Sequence, residues 1–405
     1  MTLNIDHTTT PSPTVPGTTR GRSPGGWVAA GLLAGAVIVH GAIHLLGAAK
    51  GLGWAEVTAL AQPTSAAMGV AWLVAAAVTI AAGVLLLASV RWWWVVGAAA
   101  VLLSQTAIVI DWRDAAFGTG VNVVLGAAVI YAYAAHGPSS FESSYRRRAG
   151  HALRRRAEQN SVPLTRPPVP LITEGDLERL PAPVARYISQ SGAVGHPQPS
   201  SFRALFHGRI RAAGDKPWMN FVGEQVNTFG PMPERFFKMD ATRAHLPVDV
   251  LHVFSGNEAR MRVKLCSLVP MVTASGPDLT RAETVTLLND LCVLAPAALV
   301  GASITWTTMN EHQARAVFTR GDQTVSAELT FDQQDQLTGF TSDDRFAVSA
   351  NAKTPRRQRW STPLRRYRSF HGHMISSSGL AVWHAPAPEG DFAYLEFELD
   401  DIVYG

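Results

Sequence analysis

Four long apolar segments dominate the first third of this 405-residue chain. They lie at about residues 27–48, 66–89, 92–110 and 118–135 and contain very few charged side chains. A helix needs about 20 mainly apolar residues to cross a hydrocarbon core about 30 Å thick, and each segment is near that length. Such runs are too frequent for a water-soluble core, so residues 26–135 are predicted to form a four-span transmembrane α-helical bundle.

The hydrophobic pattern changes after residue 170. Short runs then alternate apolar and polar residues or are continuously apolar, with Gly, Pro or Asn between them. This pattern predicts antiparallel strands, interrupted by a short helix near 183–190 and a longer one over 280–295. Thr280 followed by Glu283 predicts a capping box in the longer helix. We expect residues 171–405 to form an α+β soluble domain with a mainly antiparallel, strongly curved sheet or half-open β-barrel and one or two helices.

Two further segments flank the bundle. Residues 1–25 are rich in Thr and Pro and bury too little apolar surface to fold, so they are predicted to be a disordered tail. Residues 136–170 carry many arginines and several prolines and are predicted to be a basic, Pro-rich linker. Within it, residues 146–160 can form a short basic amphipathic helix lying on the membrane surface.

The charge distribution predicts the orientation of the bundle. The net charge of +4 reflects arginines before the first segment, between the second and third, and after the fourth, whereas the opposite side has only Lys50 and Arg113. The positive-inside rule therefore predicts a multi-pass membrane protein with both termini in the cytoplasm. Aromatic residues are absent among the arginines after Tyr145, so the run favours anionic lipid headgroups as partner and not nucleic acid.

A few polar residues interrupt the apolar segments and are the candidates for an intramembrane site. His40 and His44 are four residues apart and share one helix face, while Gln105 and Asn122 lie in the third and fourth segments. Such groups face the bundle interior and serve as hydrogen bonds between helices, as a proton or quinone-type site, or as ligands of a metal or haem. Neither histidine has a carboxylate or Cys beside it, so we predict no metal site and no cofactor. Gly31 and Gly35 form a GxxxG pattern that favours close helix packing.

The soluble domain contains no recognisable catalytic motif. G-x-S-x-G, Walker and H-E-x-x-H patterns are all missing from the sequence, and Cys266 and Cys292 fit neither a disulfide framework nor metal spacing. We therefore assign no catalytic residue and find no positive evidence for an enzyme. The run Asp343, Asp344 and Arg345 is expected to be solvated. Three residues are candidates for lining a ligand cavity: Glu224 within a strand, and Leu288 and Leu291 on the apolar stripe of the longer helix.

Several long motifs resemble a known family. They include LPAPVARYISQSGAVGHPQP (180–199), GPDLTRAETVTLLNDLCVLAPAAL (276–299) and AVWHAPAPEGDFAYLEFEL (381–399). The soluble part resembles an uncharacterised bacterial domain-of-unknown-function family that is common in actinobacteria. HGAIHLLGAAK (40–50), LSQ (103–105) and DWRDAAFGTGVN (111–122) resemble the four-helix region that is often fused to this domain. The resemblance implies no activity and no site residues.

The strand pattern also loosely resembles the lipoprotein-carrier class, whose half-open β-barrel holds an acyl chain under a helical lid. The helix over 280–295 would be that lid. The leading hypothesis is a membrane protein whose β-rich domain binds a lipid or another apolar small molecule. The alternatives are a redox- or proton-linked protein that uses the intramembrane histidines, and a non-catalytic scaffold, and the sequence identifies no protein partner.

Overall fold

The computed structural model describes residues 24–160, 171–348 and 355–405. The predicted tail lies almost entirely outside these residues. The first described range, residues 24–160, contains the helices α1 (Pro24–Gly51), α2 (Ala66–Leu87), α3 (Trp93–Ile110), α4 (Trp112–Ala115), α5 (Gly118–His136) and α6 (Phe141–Asn160). Within the described ranges, four helical stretches are long and apolar enough to cross a membrane, namely α1, α2, α3 and the one that begins with α5. Their bounds agree with the apolar segments of the sequence.

Glycines allow α1 and α2 to pack closely. A Cβ added at Gly51 would lie 2.5 Å from the Cα of Gly69, and one at Gly47 would lie 2.7 Å from the Trp72 ring. By contrast, a Cβ at Gly31 or Gly35 would meet no atom within 4 Å. The packing predicted from the GxxxG pattern is therefore wrong, because the face of α1 that contacts α2 carries the later glycines.

Helix α6 connects the bundle to the sheet. Phe141, Tyr145, Ala149 and Ala152 are buried and follow one another at helical spacing, so they form a single apolar face. This face packs on Val226, Phe236, Leu251 and Val253 of the sheet. The predicted basic amphipathic helix is present, but its apolar face lies on protein and not on a membrane surface. The domain limits at 136 and 170 remain predictions.

The described residues from 171 onwards form three helices, one 3₁₀ turn and thirteen strands. The helices are α7 (Glu174–Leu177), α8 (Ala182–Gln190) and α9 (Pro277–Leu294), and the 3₁₀ turn is Pro296–Leu299. The strands are β1 (Ser201–Ile210), β2 (Met219–Thr228), β3 (Glu234–Arg243), β4 (Leu246–Ser255), β5 (Glu258–Leu265), β6 (Val269–Ala274), β7 (Ile304–Asn310), β8 (Gln313–Arg320), β9 (Gln323–Phe331), β10 (Leu337–Val348), β11 (Pro355–Phe370), β12 (His373–His384) and β13 (Asp391–Tyr404).

All thirteen strands belong to one antiparallel sheet. Its order is β6-β5-β4-β3-β2-β1-β13-β12-β11-β10-β9-β8-β7, so the first and last strands of the domain pair in the middle. The edges are β6 and β7, which α9 connects along the chain. Helix α9 contacts β5 near one edge and β9 near the other. The sheet must therefore curve around α9, and the predicted strongly curved, half-open architecture is confirmed.

Helix α9 is a core element of the domain. Every residue from Ala282 to Leu294 is buried, including those on its polar side, so no face of this stretch is open in the manner of a lid. The predicted capping box is wrong, because the helix already begins at Pro277 after Gly276. Thr280 lies inside the first turn, where its hydroxyl donates to the Gly276 carbonyl at 2.8 Å. Glu283 is consequently free to bind elsewhere.

Candidate functional site

The polar residues of the apolar segments meet at one place inside the bundle. His40 and His44 of α1 both approach Ser104 of α3, with Nε2 to Oγ distances of 3.2 and 2.8 Å. The Asn122 amide of α5 donates to the same Oγ at 2.9 Å and to the Gln105 Oε1 at 3.0 Å. His40, His44, Ser104 and Asn122 are all buried. The four residues predicted from the sequence are thus brought together, and Ser104, which the sequence reasoning missed, is their common partner.

The proton balance at Ser104 restricts the tautomers of the two histidines. A serine hydroxyl has one hydrogen to donate and can accept two hydrogen bonds. At most one histidine Nε2 can therefore accept from Ser104, and the other must carry a proton on Nε2 and donate it. The rings of His40 and His44 are in edge-to-face contact, with centroids 4.5 Å apart. This arrangement can hold a proton on either ring and exchange it through one hydroxyl.

The polar contacts extend from this cluster along the bundle. Gln105 Nε2 donates to Thr119 Oγ1 at 3.1 Å. The His44 ring lies 5.0 Å from that of Trp72, whose indole N–H donates to Asp111 at 2.8 Å. In the described part of the chain, no group of three or more His, Cys, Asp or Glu side chains is arranged to hold a metal ion.

A second polar cluster lies between α9 and the sheet. The guanidinium of Arg235 on β3 donates to Glu283 at 3.0 Å and to Asp290 at 2.8 Å, and all three side chains are more than 90% buried. Burial by itself raises the pKa of the Glu283 carboxyl, but His252 and Arg235 outweigh it and hold that pKa well below its usual range. The cluster therefore keeps charged groups inside the domain.

Neutral amides complete this second cluster. Gln225 and Asn227 of β2 donate to the Asp290 Oδ2 at 2.7 and 3.0 Å, next to the Arg235 Nε. The His252 Nδ1 lies 3.6 Å from Glu283 and has no hydrogen-bond partner among the described residues. Sequence reasoning missed this network, since its members come from β2, β3, β4 and α9. The only local signal was a row of polar residues in predicted strands.

The three cavity candidates do not share one site. Leu288 and Leu291 are buried in the main core around α9. Glu224 lies on the opposite face of the sheet, because its neighbours Gln225 and Asn227 point to α9 and one strand alternates its faces. There Glu224 accepts from Arg203 at 2.7 Å, under the apolar face of α6.

The environment of Glu224 also affects the pKa of Tyr145 on α6. Burial and the neighbouring Glu224 carboxylate raise the pKa of the Tyr145 phenol well above its usual value. Glu224 therefore belongs to the contact between helix and sheet, and it does not line the interior of the half-barrel.

The acidic run in β10 is also placed differently from expectation. Asp344 is buried and accepts from Arg281 of α9 at 2.7 Å, whereas the neighbouring Asp343 is exposed. Successive residues of a strand point to opposite faces, which accounts for this difference. A bulge between Ser342 and Arg345 also shifts the register against β11. Arg345 stacks on Trp360 at 4.3 Å and donates to Thr286 at 2.7 Å. The expectation that this run is solvated holds for Asp343 alone.

Two hollows are open on the surface of the domain. One, of about 420 Å³, lies beside the edge strand β7 and the turn before α8, and most of its open surface is polar although six of its nine lining residues are apolar. These are Leu180, Pro181, Leu299, Ala302, Ile304 and Trp306, with Gly301, Arg179 and Thr308. The other, of about 300 Å³, is a polar groove over β1, β2, β13, β12 and β11, lined by pairs such as Arg209 and Glu396.

Similar solved structures include three bacterial proteins. A domain described as an outer membrane lipoprotein-sorting protein from Vibrio parahaemolyticus is 8% identical, with 51% of this chain and 85% of that one covered and a TM-score of 0.28. A DUF1329 family protein from Desulfovibrio piger is 9% identical, covering 57% and 92% with a TM-score of 0.26. LprF from Mycobacterium bovis is 11% identical, covering 57% and 92% with a TM-score of 0.19.

The family resemblance inferred from the long motifs is confirmed by a family model. No curated protein matches the chain. The model of a family of unknown function, DUF6544, matches residues 170–397, which is more than half of the chain and includes nearly the whole sheet. The chain therefore belongs to the DUF6544 family of unknown function.

Proposed function

We propose that this protein is anchored by a four-span bundle in the bacterial inner membrane and binds a lipid or another apolar molecule with its curved sheet. The observation that carries this proposal is the strongly curved, half-open sheet attached to four apolar helices. A hollow of about 420 Å³ lies at the β7 edge of this sheet. Its volume is within the range of small-molecule sites, about 300–1,000 Å³. The ligand is taken from the leaflet next to the domain.

The attachment of the sheet to the bundle supports this proposal. Glu142 at the start of α6 pairs with Lys238 of β3 at 2.6 Å and with Arg91, between α2 and α3, at 3.3 Å. One carboxylate therefore joins the sheet to a loop of the bundle. A binding domain held at the end of membrane helices meets apolar ligands that are too insoluble to diffuse through water.

Native mass spectrometry of the full-length protein released from nanodiscs tests this proposal. We expect a co-purifying mass that chloroform–methanol extraction identifies as a lipid. Ile304→Glu places a charge in the hollow and should reduce the bound fraction at least tenfold. Thr305→Glu is the matched control, because Thr305 is exposed on the other face of the same strand. A ligand-free protein that takes up no added lipid, but carries a stable protein partner, would support the scaffold alternative instead.

A second candidate function rests on the intramembrane cluster. His40 and His44 share one hydroxyl hydrogen-bond partner, and this geometry suits proton transfer as well as it suits helix packing. As the alternative to a role in helix packing alone, we infer that this cluster lets the bundle conduct or relay protons. The domain division at 26–135, 136–170 and 171–405 is part of both proposals.

Proton flux into proteoliposomes containing a pH-sensitive dye tests the second function. Ser104→Ala removes the group that both histidines contact and should abolish the flux. Thr106→Ala, on the same helix, is the control because Thr106 is exposed and bonds only to the carbonyl of Leu102. If proteoliposomes and empty liposomes show equal proton flux, His40 and His44 serve helix packing alone. A visible absorption spectrum of the purified protein is a separate test, and it would reveal a bound haem.

A further inference from the structure

Exposed apolar side chains cluster at two neighbouring turns of the sheet. Leu246, the first residue of β4, is 48% exposed. Leu268, in the turn between β5 and β6, and Val269, the first residue of β6, are 44% and 52% exposed. The backbone N–H of Cys266 donates to the Pro247 carbonyl at 2.7 Å and holds the two turns together. We call residues 243–246 and 266–271 the tip. Met271, 55% exposed, completes its apolar surface.

The tip lies at the end of the sheet that joins the membrane bundle. Helix α6 starts five residues after α5 ends and runs along β3, from Glu142 paired with Lys238 to Arg155 paired with Glu234. Going from Glu234 through Lys238, β3 leads directly into the tip. The tip is therefore beyond the membrane end of α6 and not beside its far end.

A second contact fixes the same placement from β5. The ammonium of Lys264 and the guanidinium of Arg262 lie 4.8 and 4.9 Å from the ring of Phe141, the first residue of α6. Lys264 is two residues before Cys266, so β5 also passes the start of α6 and then enters the tip. Since Glu142 also pairs with Arg91 of the bundle, both turns are near the level at which the apolar helices end.

The composition of the tip matches a membrane interface. Four exposed apolar side chains stand beside exposed Arg243 and half-buried Lys264. Exposed apolar side chains have a lower free energy at the boundary between headgroups and acyl chains than in water. Lys and Arg bind anionic lipids at the same boundary. The tip also includes the first residues of β6, one of the two edge strands of the sheet.

We propose that the tip inserts into the headgroup region of the leaflet next to the α5–α6 junction and places the β6 edge of the sheet against lipid. This rests on the proposed function for the membrane anchor and the lipid ligand. Its occupant is the bilayer itself, attracted by the apolar side chains and by the adjacent positive charges.

Fluorescence of a bimane label in full-length protein tests the insertion. The label is placed on Leu268→Cys or Met271→Cys in a Cys266→Ser background, where Cys292 remains unlabelled because it is fully buried. The protein is reconstituted in nanodiscs of phosphatidylcholine and phosphatidylglycerol, with and without doxyl-labelled lipid. Met232→Cys is the matched control, since Met232 is 42% exposed between β2 and β3, near the far end of α6.

We expect both tip labels to emit at shorter wavelength in nanodiscs and to be quenched by doxyl lipid, while the Met232 label does neither. Unquenched emission equal to that of the control would overturn the proposal. A label that is shielded yet unquenched would mean that protein covers the tip, which also contradicts it. Lipid found by mass spectrometry together with an unquenched tip would contradict the insertion alone, whereas a quenched tip without bound lipid would contradict only the proposed ligand.

Discussion

Charged residues inside this protein are held by partners from distant parts of the chain. Arg235 is the clearest example, because its guanidinium joins Glu283 and Asp290 of a helix that follows about 50 residues later. Buried ion pairs contribute little net stability when complete, but the loss of one partner leaves an unpaired charge in a medium of low polarity. The cluster therefore specifies how α9 sits against the sheet more than it stabilises the fold.

Replacement of Arg235 should accordingly be severe. We expect Arg235→Ala to lower the free energy of unfolding of the β domain by about 3–5 kcal/mol, because Glu283 and Asp290 lose their countercharge. Chemical denaturation followed by tryptophan fluorescence measures this change. Arg260→Ala, which removes an exposed arginine paired with Glu258, is the control and should have little effect. Equal losses from the two variants would show that the buried cluster is unimportant.

Glu142 makes the contact between α6 and the sheet sensitive to acid. Burial raises the pKa of Glu142, but the charges of Lys238 and Arg146 more than offset this effect and lower the pKa from an ordinary 4.5 to about 2. A carboxyl whose pKa is lower in the folded protein stabilises the fold fully at a pH above its pKa in the unfolded chain. This stabilisation is lost as the pH falls to the pKa in the folded protein. The loss should amount to up to about 3 kcal/mol between pH 4.5 and 2.

The Glu142→Gln variant measures this contribution. Its unfolding free energy should lie below that of the unchanged protein at pH 6, and the difference should shrink as pH falls toward 2. Glu158→Gln changes an exposed carboxylate on the same helix and should follow the unchanged protein. A gap between Glu142→Gln and the unchanged protein that stays constant with pH would contradict the assignment.

At the scale of elements, α6 and α9 show that a helix can be predicted while its neighbours cannot. The spacing of Phe141, Tyr145 and Ala149 is typical of a helix with one apolar face, and either a membrane surface or a sheet could cover that face. Likewise the apolar stripe of α9 predicts a helix with one buried side, but its polar side is buried as well. Long-range contacts with Arg235 and the strands decide both cases.

Fragments of the chain test the role of α6. A fragment from Gly137 to Gly405 should be monomeric, whereas one from Leu171 to Gly405 exposes the apolar patch around Phe236. We expect the shorter fragment to lose about 3 kcal/mol or more of stability, since Phe141 and Tyr145 no longer bury their rings. Size-exclusion chromatography and urea denaturation measure both effects. Equal stability and size behaviour would mean that α6 is a dispensable cover.

At the scale of the whole molecule, one end of the sheet is tied to one end of the bundle. Arg91, Glu142 and Lys238 make this connection, and the arginines of α6 lie on the same side. Under the proposed orientation we expect the entire β domain in the cytoplasm, because a short α5–α6 connection allows no second crossing.

A reporter fused after Gly405 tests this orientation. Alkaline phosphatase at this position should be inactive and green fluorescent protein should fluoresce, as both report a cytoplasmic terminus. A reporter fused at Trp54, between the first two spans, provides the opposite control. Active phosphatase at Gly405 would reverse the orientation and place the domain in the periplasm.

Much of the architecture could be predicted from local patterns. The bounds of the four apolar helices, the abundance of antiparallel strands and the α9 region follow from apolar runs and periodicity, which depend only on neighbouring residues. The intramembrane site was partly predictable, because His40, His44, Gln105 and Asn122 are conspicuous in apolar surroundings. Ser104 was not, since a serine is inconspicuous in a transmembrane helix and gains its role from two histidines some 60 residues earlier.

By itself, the sequence determined that this protein has an apolar four-helix part, a basic connection and a β-rich domain of the DUF6544 family. The tertiary structure alone decided that α6 covers the sheet, that Glu224 faces α6, and that Arg235 meets Glu283 and Asp290. The physical reason is that apolar periodicity records whether a residue is buried, whereas the identity of its partner depends on chain segments that only folding brings together.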